Sequence, residues 1–173
     1  SGATMWIEDK GEGKPILFVH GWPLSGKPWR NQLEGMSHEH RVLTVDLPGF
    51  GQSPPLEETV TIKGLATAVR DLLDTLDLTE VFMIGWSMGG GVTMSYCQHF
   101  GSHRLRAIGI VDDVAMLLPG DDWLKGVDTP WSMADLDDWR IRVHSDLRGV
   151  AHDVATAEFK HPDRHKDTIE MLV

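Results

Sequence analysis

A serine between two glycines, in the segment Gly85-Trp86-Ser87-Met88-Gly89, constrains the fold of this chain more than any other segment. The apolar residues 81–84 before it are typical of a buried β-strand, and the glycines after it suit the start of a helix. A serine at such a junction lies on a sharp turn with its hydroxyl exposed. A Cβ at Gly85 or Gly89 would clash with the neighbouring strand or helix. The segment therefore predicts a strand, a strained turn and a helix, with Ser87 as a candidate nucleophile.

Strand-like and helix-like segments alternate along residues 1–113. Short apolar runs predict strands over residues 5–7, 15–20, 41–46, 81–84 and 105–111. Helices are predicted between them, over residues 27–36, 61–78 and 90–100. The middle helix has one apolar face, formed by Ile62, Leu65, Ala66, Val69, Leu72, Leu73 and Leu76. Strands that alternate with helices form βαβ units, so we expect an α/β fold with a mainly parallel sheet and right-handed connections.

The pattern changes character near Asp112 and Asp113. Residues 114–173 contain helix and loop signals without further strands. One apolar stripe there predicts a helix through Leu136, Trp139, Val143 and Leu147, a second helix follows it, and Pro162 precedes a short last helix. We therefore expect two regions within one architecture, residues 1–113 and residues 114–173.

The composition restricts partners, cofactors and location. The net charge of -10 opposes binding to phosphate backbones, so no nucleic acid is expected. No apolar run is long enough to span a bilayer, and Ser1-Gly2-Ala3-Thr4 lacks the features of a signal peptide, so we expect no membrane and a cytoplasmic location. The single cysteine, Cys97, excludes an internal disulfide. The sequence contains no metal-ligand cluster, phosphate loop or dinucleotide fingerprint, so no cofactor is expected.

Three motifs, each at the end of a predicted strand, together resemble the α/β-hydrolase superfamily. They are His20-Gly21-Trp22-Pro23, Asp46-Leu47-Pro48-Gly49-Phe50-Gly51-Gln52-Ser53 and Gly85-Trp86-Ser87-Met88-Gly89-Gly90. A lone GxSxG motif occurs by chance in many proteins, whereas all three motifs in this order and spacing are highly specific. Within the superfamily the chain looks like the small carboxylesterases, the pimeloyl-acyl-carrier-protein methyl ester esterases and the cofactor-free haloperoxidase-like enzymes.

This resemblance implies an α/β-hydrolase fold with helices on both faces of the sheet and a partial helical cap in residues 114–173. It also implies a serine hydrolase of small-molecule carboxylic esters, with Ser87 as the nucleophile. The backbone N–H groups of Trp22 and Met88 would form the oxyanion hole, each worth about 3 kcal/mol of barrier. His20 would support the oxyanion loop in preference to acting as a general base.

The serine nucleophile separates the chain from two groups of relatives. Haloalkane dehalogenases and epoxide hydrolases of this fold attack with a carboxylate, because an alkyl ester can be formed and released, whereas a serine would form a stable ether. Perhydrolysis and C–C bond hydrolysis would use the same Ser87 and the same oxyanion hole. The sequence does not separate them from ester hydrolysis.

The resemblance further implies that part of the catalytic machinery lies outside this chain. In the family, the acid and the histidine of the triad usually follow the seventh and eighth strands, whereas residues 105–111 match the sixth strand and residues 114–173 match the cap. We therefore expect the chain to end inside the cap, without the last strands. Asp112 and Asp113 follow the sixth strand and are weak candidates for the acid, and no histidine is a convincing base.

An unpaired sixth strand would leave a sheet edge with free N–H and C=O groups beside apolar side chains. We therefore expect a complementing C-terminal polypeptide, or a homodimer, to pair with the edge formed by Leu105 to Val111. The rival interpretation is a hydrolase-like scaffold that has lost its base and binds a small molecule or a protein partner. In that case Ser87 would be a relic.

Overall fold

The computed structural model describes residues 4–57, 59–112, 133–157, 161–164 and 166–172. Asp113, one of the candidates for the acid, lies outside these residues. The chain divides into two compact units, Ser1–Asp113 and Val114–Val173.

A five-stranded sheet forms the centre of the first unit. Its strands are β1 (Trp6–Lys10), β2 (Pro15–Val19), β3 (Arg41–Asp46), β4 (Val81–Trp86) and β5 (Leu105–Val111), arranged in the order β1-β3-β2-β4-β5. Strands β3, β2, β4 and β5 are parallel, and β1 pairs with β3 in the antiparallel direction. The prediction of an α/β fold with a mainly parallel sheet is confirmed.

The antiparallel direction of β1 follows from its connection to β2. Residues 11–14 are the only link between the two strands, and they are too few for the crossover that a parallel strand requires. The first strand is also longer than predicted, because it continues past Ile7 to Lys10. At the amino end of β3, a bidentate ion pair joins Arg41 to Asp9 on β1, with N–O distances from 2.6 to 3.2 Å.

Three helices flank the sheet in the first unit. A 3-10 turn over Lys27–Trp29 leads into α1 (Arg30–Met36), and α2 (Ile62–Thr75) and α3 (Met88–Phe100) follow. Helix α2 begins where Thr61 caps it, since the Thr61 hydroxyl accepts a hydrogen bond of 3.0 Å from the Gly64 N–H. Helix α3 begins two residues before the predicted Gly90, because the turn at Ser87 leads directly into the first helical residue.

Alternate side chains of the central strands pack on opposite faces of the sheet. Those facing α2 and α3 form one core, with Leu17, Val19, Leu43, Val45, Val81 and Met83 from the strands and Leu65, Val69, Leu73, Val92 and Tyr96 from the helices. Those facing α1 form a second core, with Ile16, Phe18, Val42 and Leu33. Helices therefore cover both faces. Ile62 was expected on the apolar face of α2, but it is 42% exposed because it lies at the first turn of the helix.

The order of the strands creates a switch point at β2. The chain passes from β2 to β3 on one side, and it then returns to the other side of β2 to form β4. In open α/β sheets, ligands bind beyond the carboxyl ends of the strands at such a point. His20 follows β2 directly and Ser87 follows β4 directly. The fold therefore brings two of the three sequence motifs to the crevice where α/β proteins bind their ligands.

Helices make up the described part of the second unit. They are α4 (Met133–Ser145), α5 (Leu147–Ala157), a 3-10 turn over Pro162–Arg164 and α6 (Lys166–Leu172). Leu147 was predicted on α4, but it is the first residue of α5. Asp146 separates the two helices, and its side chain accepts a 2.9 Å hydrogen bond from the Gly149 N–H. An ion pair between Arg142 and Asp153 links α4 to α5. Across the described residues, no helix has both the length and the apolar character needed to cross a membrane.

Candidate active site

Ser87 lies on a strained turn between β4 and α3. Its backbone has φ 50° and ψ −125°, a conformation that costs a non-glycine residue about 1–3 kcal/mol. Two backbone contacts hold the turn, since the Ser87 N–H donates to the Val111 carbonyl at 2.9 Å and the Ser87 carbonyl accepts from the Gly90 N–H at 2.6 Å. The side chain is half-buried. The strain expected for this turn from the sequence is therefore present.

The glycines on either side of Ser87 are required by close backbone contacts. A Cβ on Gly85 would lie 2.1 Å from the carbonyl oxygen of Gly89 in α3. A Cβ on Gly89 would lie 2.3 Å from the carbonyl oxygen of Val19 in β2. Both distances are far below van der Waals contact, and both involve backbone atoms that cannot move independently of their element. The predicted clashes with the helix and the strand are confirmed.

The loop after β2 lies against the serine. A Cβ on Gly21 would be 3.1 Å from the Ser87 Cβ, closer than ordinary van der Waals contact, and 3.6 Å from the Ser87 Oγ, so the loop packs closely against the serine side chain. Trp22 is the next residue and is half-buried. On the other side of the serine, Met88 is the first residue of α3, where a backbone N–H has no acceptor within its own helix. The structure thus brings Ser87, Trp22 and Met88 to one end of the sheet.

His20 is fully buried, and both of its ring nitrogens are occupied. Nδ1 lies 2.9 Å from the Gly21 carbonyl, and a carbonyl only accepts, so Nδ1 carries the proton. Nε2 accepts a 3.0 Å hydrogen bond from the Leu47 N–H. Burial lowers the pKa of His20, an effect opposed by the Gly21 carbonyl and the Asp46 carboxylate. The neutral imidazole, with a hydrogen bond at each nitrogen, holds its loop in place. It has no free nitrogen with which to accept a proton from Ser87.

The other histidines of the first unit lie at the opposite end of the sheet. His38 and His40 precede β3, which places His40 about 20 Å from the carboxyl end of that strand. His99 is in the last turn of α3, about 18 Å along the helix from Ser87, and His103 precedes β5. Within the described residues the Ser87 hydroxyl forms no hydrogen bond. The described part of the first unit therefore supplies a positioned serine without a histidine to activate it.

Asp112 is the one candidate for the acid that the structure describes. It follows β5 directly, with φ 49°, and its side chain is exposed. The Val111 carbonyl before it accepts the hydrogen bond from the Ser87 N–H, so Asp112 lies at the same end of the sheet as the serine.

Among the residues described, no group of three or more histidine, cysteine, aspartate or glutamate side chains is arranged to hold a metal ion.

A family model for the alpha/beta hydrolase fold matches residues 14–141. This chain belongs to the α/β-hydrolase family. The match includes all three motifs and both sides of the crevice at β2 and β4, which confirms the resemblance drawn from the sequence.

Known relatives of this α/β hydrolase include peroxidases and esterases. The non-heme chloroperoxidase CPO-A1 of Kitasatospora aureofaciens is 36% identical over 107 residues, which cover 61% of this chain and 39% of the relative. The pimeloyl-[acyl-carrier protein] methyl ester esterase of Aeromonas hydrophila is 31% identical over 120 residues, which cover 68% of this chain and 44% of the relative. This α/β hydrolase therefore spans less than half the length of these curated relatives.

Solved structures agree with the fold. The bromoperoxidase from Bacillus anthracis matches with a TM-score of 0.79 and 29% sequence identity, over 87% of this chain and 54% of that chain. The matched portion of the bromoperoxidase is again little more than half of its length.

The second motif of this α/β hydrolase has a role that sequence reasoning missed. Asp46 ends β3 and is buried, and its Oδ1 accepts from the Gly26 N–H at 2.7 Å while its Oδ2 accepts from the Gln52 N–H at 2.8 Å. The Ser53 hydroxyl donates to the Asp46 carbonyl at 2.5 Å and accepts from the Trp6 N–H at 2.8 Å. The motif thus ties together the loops that follow β2 and β3. The sequence did contain a signal for this role, namely an acidic residue at the end of an apolar strand and before a glycine-rich loop.

Proposed function

We propose that this α/β hydrolase is a serine hydrolase of small-molecule carboxylic esters. The observation that carries the proposal is the position of Ser87, on a strained turn at the switch point of the sheet and against the loop of Gly21. In the proposed reaction, the Ser87 Oγ attacks the ester carbonyl carbon, and the carbonyl electron pair moves to its oxygen. The N–H groups of Trp22 and Met88 would stabilise that oxyanion. A base takes the proton from the Ser87 hydroxyl during the attack and gives it to the alcohol that departs as the oxyanion collapses. The acyl-enzyme that remains is hydrolysed by water to the acid and free serine.

The proposal requires a base, because a serine hydroxyl at its ordinary pKa is a poor nucleophile. His20 has no free ring nitrogen, and the remaining histidines of residues 4–112 lie far from Ser87. We therefore place the histidine and the acid of the triad outside the first unit, on a complementing C-terminal segment or polypeptide. Asp112 is the alternative for the acid. For the whole protein, we still predict a cytoplasmic location.

The β5 edge supports the proposal of a complementing segment. Within the described residues β5 pairs with β4 alone, and Ile108, Ile110 and Val111 are 44%, 38% and 45% exposed. A segment that paired there would cover these side chains. It would be separated from Ser87 by β5 alone, because Val111 of β5 accepts the hydrogen bond from the Ser87 N–H. A homodimer through the same edge is the alternative arrangement.

The names of the relatives support an acyl-enzyme with two fates. The Aeromonas relative is named as a methyl ester esterase, which favours water as the second nucleophile. Two other relatives are named as a chloroperoxidase and a bromoperoxidase. In this chain, attack of hydrogen peroxide on the same acyl-enzyme would release a peracid and free Ser87, so perhydrolysis is a second candidate activity.

The first experiment is labelling with a fluorophosphonate, followed by intact-mass spectrometry under denaturing conditions. We expect one adduct in the wild-type protein and none in Ser87→Ala. Ser102→Ala is the matched control, because it makes the same chemical change at an exposed position past the far end of α3 and should label like the wild type. The same spectra count the polypeptides in the sample.

Each outcome of the labelling separates the interpretations. An adduct that persists in Ser87→Ala would assign the nucleophile to another residue and overturn the proposal. Absence of an adduct in the wild-type protein would mean an unassembled triad and would favour the scaffold interpretation or a sample without the complementing segment. If Ser87 is labelled, ester hydrolysis and peracid formation are measured on one substrate, with and without hydrogen peroxide, to separate the two activities.

A further inference from the structure

We infer that Asp46 is a positioning residue for the oxyanion hole, acting through the loop that carries Trp22. The inference rests on the proposed function, because the orientation of the Trp22 N–H matters to catalysis only if that group binds the oxyanion. Asp46 is adjacent to neither residue in the chain, because it ends β3, whereas Trp22 lies in the loop after β2 and Ser87 follows β4.

The two oxygens of Asp46 serve two different loops. The side chain is at the end of β3 and the residue is 6% exposed, so its charge needs hydrogen-bond donors in place of water. Oδ1 accepts from the Gly26 N–H, in the loop after β2, at 2.7 Å. Oδ2 accepts from the Gln52 N–H, in the loop after β3, at 2.8 Å. Hydrogen bonds to an ionised acceptor are about twice as strong as neutral ones, so this carboxylate is a firm link between the loops.

The segment that contains Trp22 is anchored at both of its ends. At the start, the His20 ring accepts from the Leu47 N–H at 3.0 Å. At the end, Gly26 donates to Asp46. Between these anchors, a turn closes with a 3.0 Å hydrogen bond from the Leu24 N–H to the Gly21 carbonyl. Both anchors are formed by adjacent residues at the end of β3, so the orientation of the segment depends on that strand end.

A carboxylate suits this position better than an amide. Asp46 accepts from two N–H donors through two oxygens, whereas an asparagine has one oxygen, and its NH2 group would face the second backbone N–H. Asp46→Asn is nearly isosteric and therefore removes one loop anchor without removing the side chain. Asp9→Asn is the matched control, because Asp9 on β1 pairs with Arg41, at the end of β3 opposite to Asp46.

The experiment measures the rate constant and the final extent of fluorophosphonate labelling of the full-length protein. Loss of one oxyanion donor typically slows a serine enzyme by about 100-fold or more. We expect Asp46→Asn to lower the labelling rate constant by roughly tenfold, a fraction of that effect, with the same final extent of labelling. Asp9→Asn should keep the wild-type rate. Hydrogen exchange of the amides in residues 20–26, measured on the same samples, should be faster in Asp46→Asn alone.

The outcomes distinguish a positioning role from a structural one. A lower final extent of labelling with an unchanged rate constant would mean that Asp46 serves only to keep molecules folded, and it would overturn the inference. Unchanged exchange in residues 20–26 would also overturn it. If the wild-type Ser87 is not labelled at all, the proposed function fails first and the inference fails with it. If Asp46→Asn does not fold, residue-level exchange of wild-type protein decides, since unprotected Gly26 and Gln52 amides would rule out both hydrogen bonds to the Asp46 carboxylate.

Discussion

Strands β2 and β5 are both short apolar strands of one sheet, yet their surroundings differ. Every residue of β2 is buried, because α1 covers one face of the sheet and α2 and α3 cover the other. Most residues of β5 are exposed, among them Ile108 and Ile110. Burial of apolar surface stabilises a fold by about 25 cal/mol per Å², which β5 gains only in part within the described residues. Apolar composition therefore predicts a strand suited to burial without predicting what covers it.

We expect the largest difference in the free energy of unfolding between a glycine substitution in a central strand of the sheet and one in the edge strand β5. Gly85→Ala would place a Cβ 2.1 Å from a backbone oxygen, so we expect the free energy of unfolding to fall by about 3 kcal/mol. Gly109→Ala on β5 would place its Cβ 3.3 Å from a side-chain atom of Ile84, which can shift, and the cost should stay below about 1 kcal/mol. Urea denaturation of both variants measures the difference. Equal losses would show that β5 is packed as tightly as the centre.

Truncation of one large side chain in each strand tests the same contrast. Leu17 on β2 is fully buried, so Leu17→Ala should lower the free energy of unfolding by about 3 kcal/mol. Ile108 on β5 is 44% exposed, so Ile108→Ala should cost less than about 1 kcal/mol. The measurement is again urea denaturation, with unchanged slopes required. A loss at Ile108 as large as that at Leu17 would mean that a complementing segment covers the strand in the sample.

A smaller effect is expected from the buried histidine beside β2. Burial lowers the pKa of His20 from its ordinary value of 6.5, so below that pH the unfolded chain binds a proton that the folded chain does not. The stabilising contribution is therefore complete above pH 6.5 and is lost as the pH falls toward the folded pKa. Unfolding measured across this range should show the decline in wild type and in the exposed-histidine control His99→Gln. The same decline in His20→Gln would assign it to other groups.

The smallest effect on stability is expected from a charge on the β5 edge. Ile110 is 38% exposed, so Ile110→Lys should change the free energy of unfolding by less than about 0.5 kcal/mol. It should nevertheless weaken any association through that edge, because an edge lysine opposes strand pairing. Sedimentation velocity compares it with Trp6→Lys, a matched change at an exposed position on β1, at the opposite edge. Equal behaviour of both variants would argue against pairing at β5.

Hydrophobic patterns in the sequence predicted the strands and helices well wherever burial of apolar side chains determines the structure. The apolar run at residues 15–20 was predicted as a strand, and residues 15–19 form the fully buried strand β2. Errors fall at element ends, where capping decides the boundary. Ile62 is exposed because the helix starts there, and Leu147 belongs to the helix after Asp146. Ends depend on a few hydrogen bonds, which a hydrophobic pattern does not report.

The candidate site was predicted in part. The motifs identified Ser87, Trp22 and Met88, and their roles remain predictions. Two features escaped the sequence, namely the occupied ring nitrogens of His20 and the double contact of Asp46. Each includes one partner 20 or more residues away along the chain, Leu47 for His20 and Gly26 for Asp46.

By itself, the sequence determined the order of strands and helices and the sharp turn at Ser87, because apolar periodicity and glycine spacing act over a few residues. Only the tertiary structure decided the strand order β1-β3-β2-β4-β5, which places β4 beside β2 and so brings Gly21 against Ser87. That adjacency arises from packing helices on both faces of a parallel sheet, and no local pattern encodes it. The same packing placed the Asp46 carboxylate between two loops and left β5 at an edge of the described sheet.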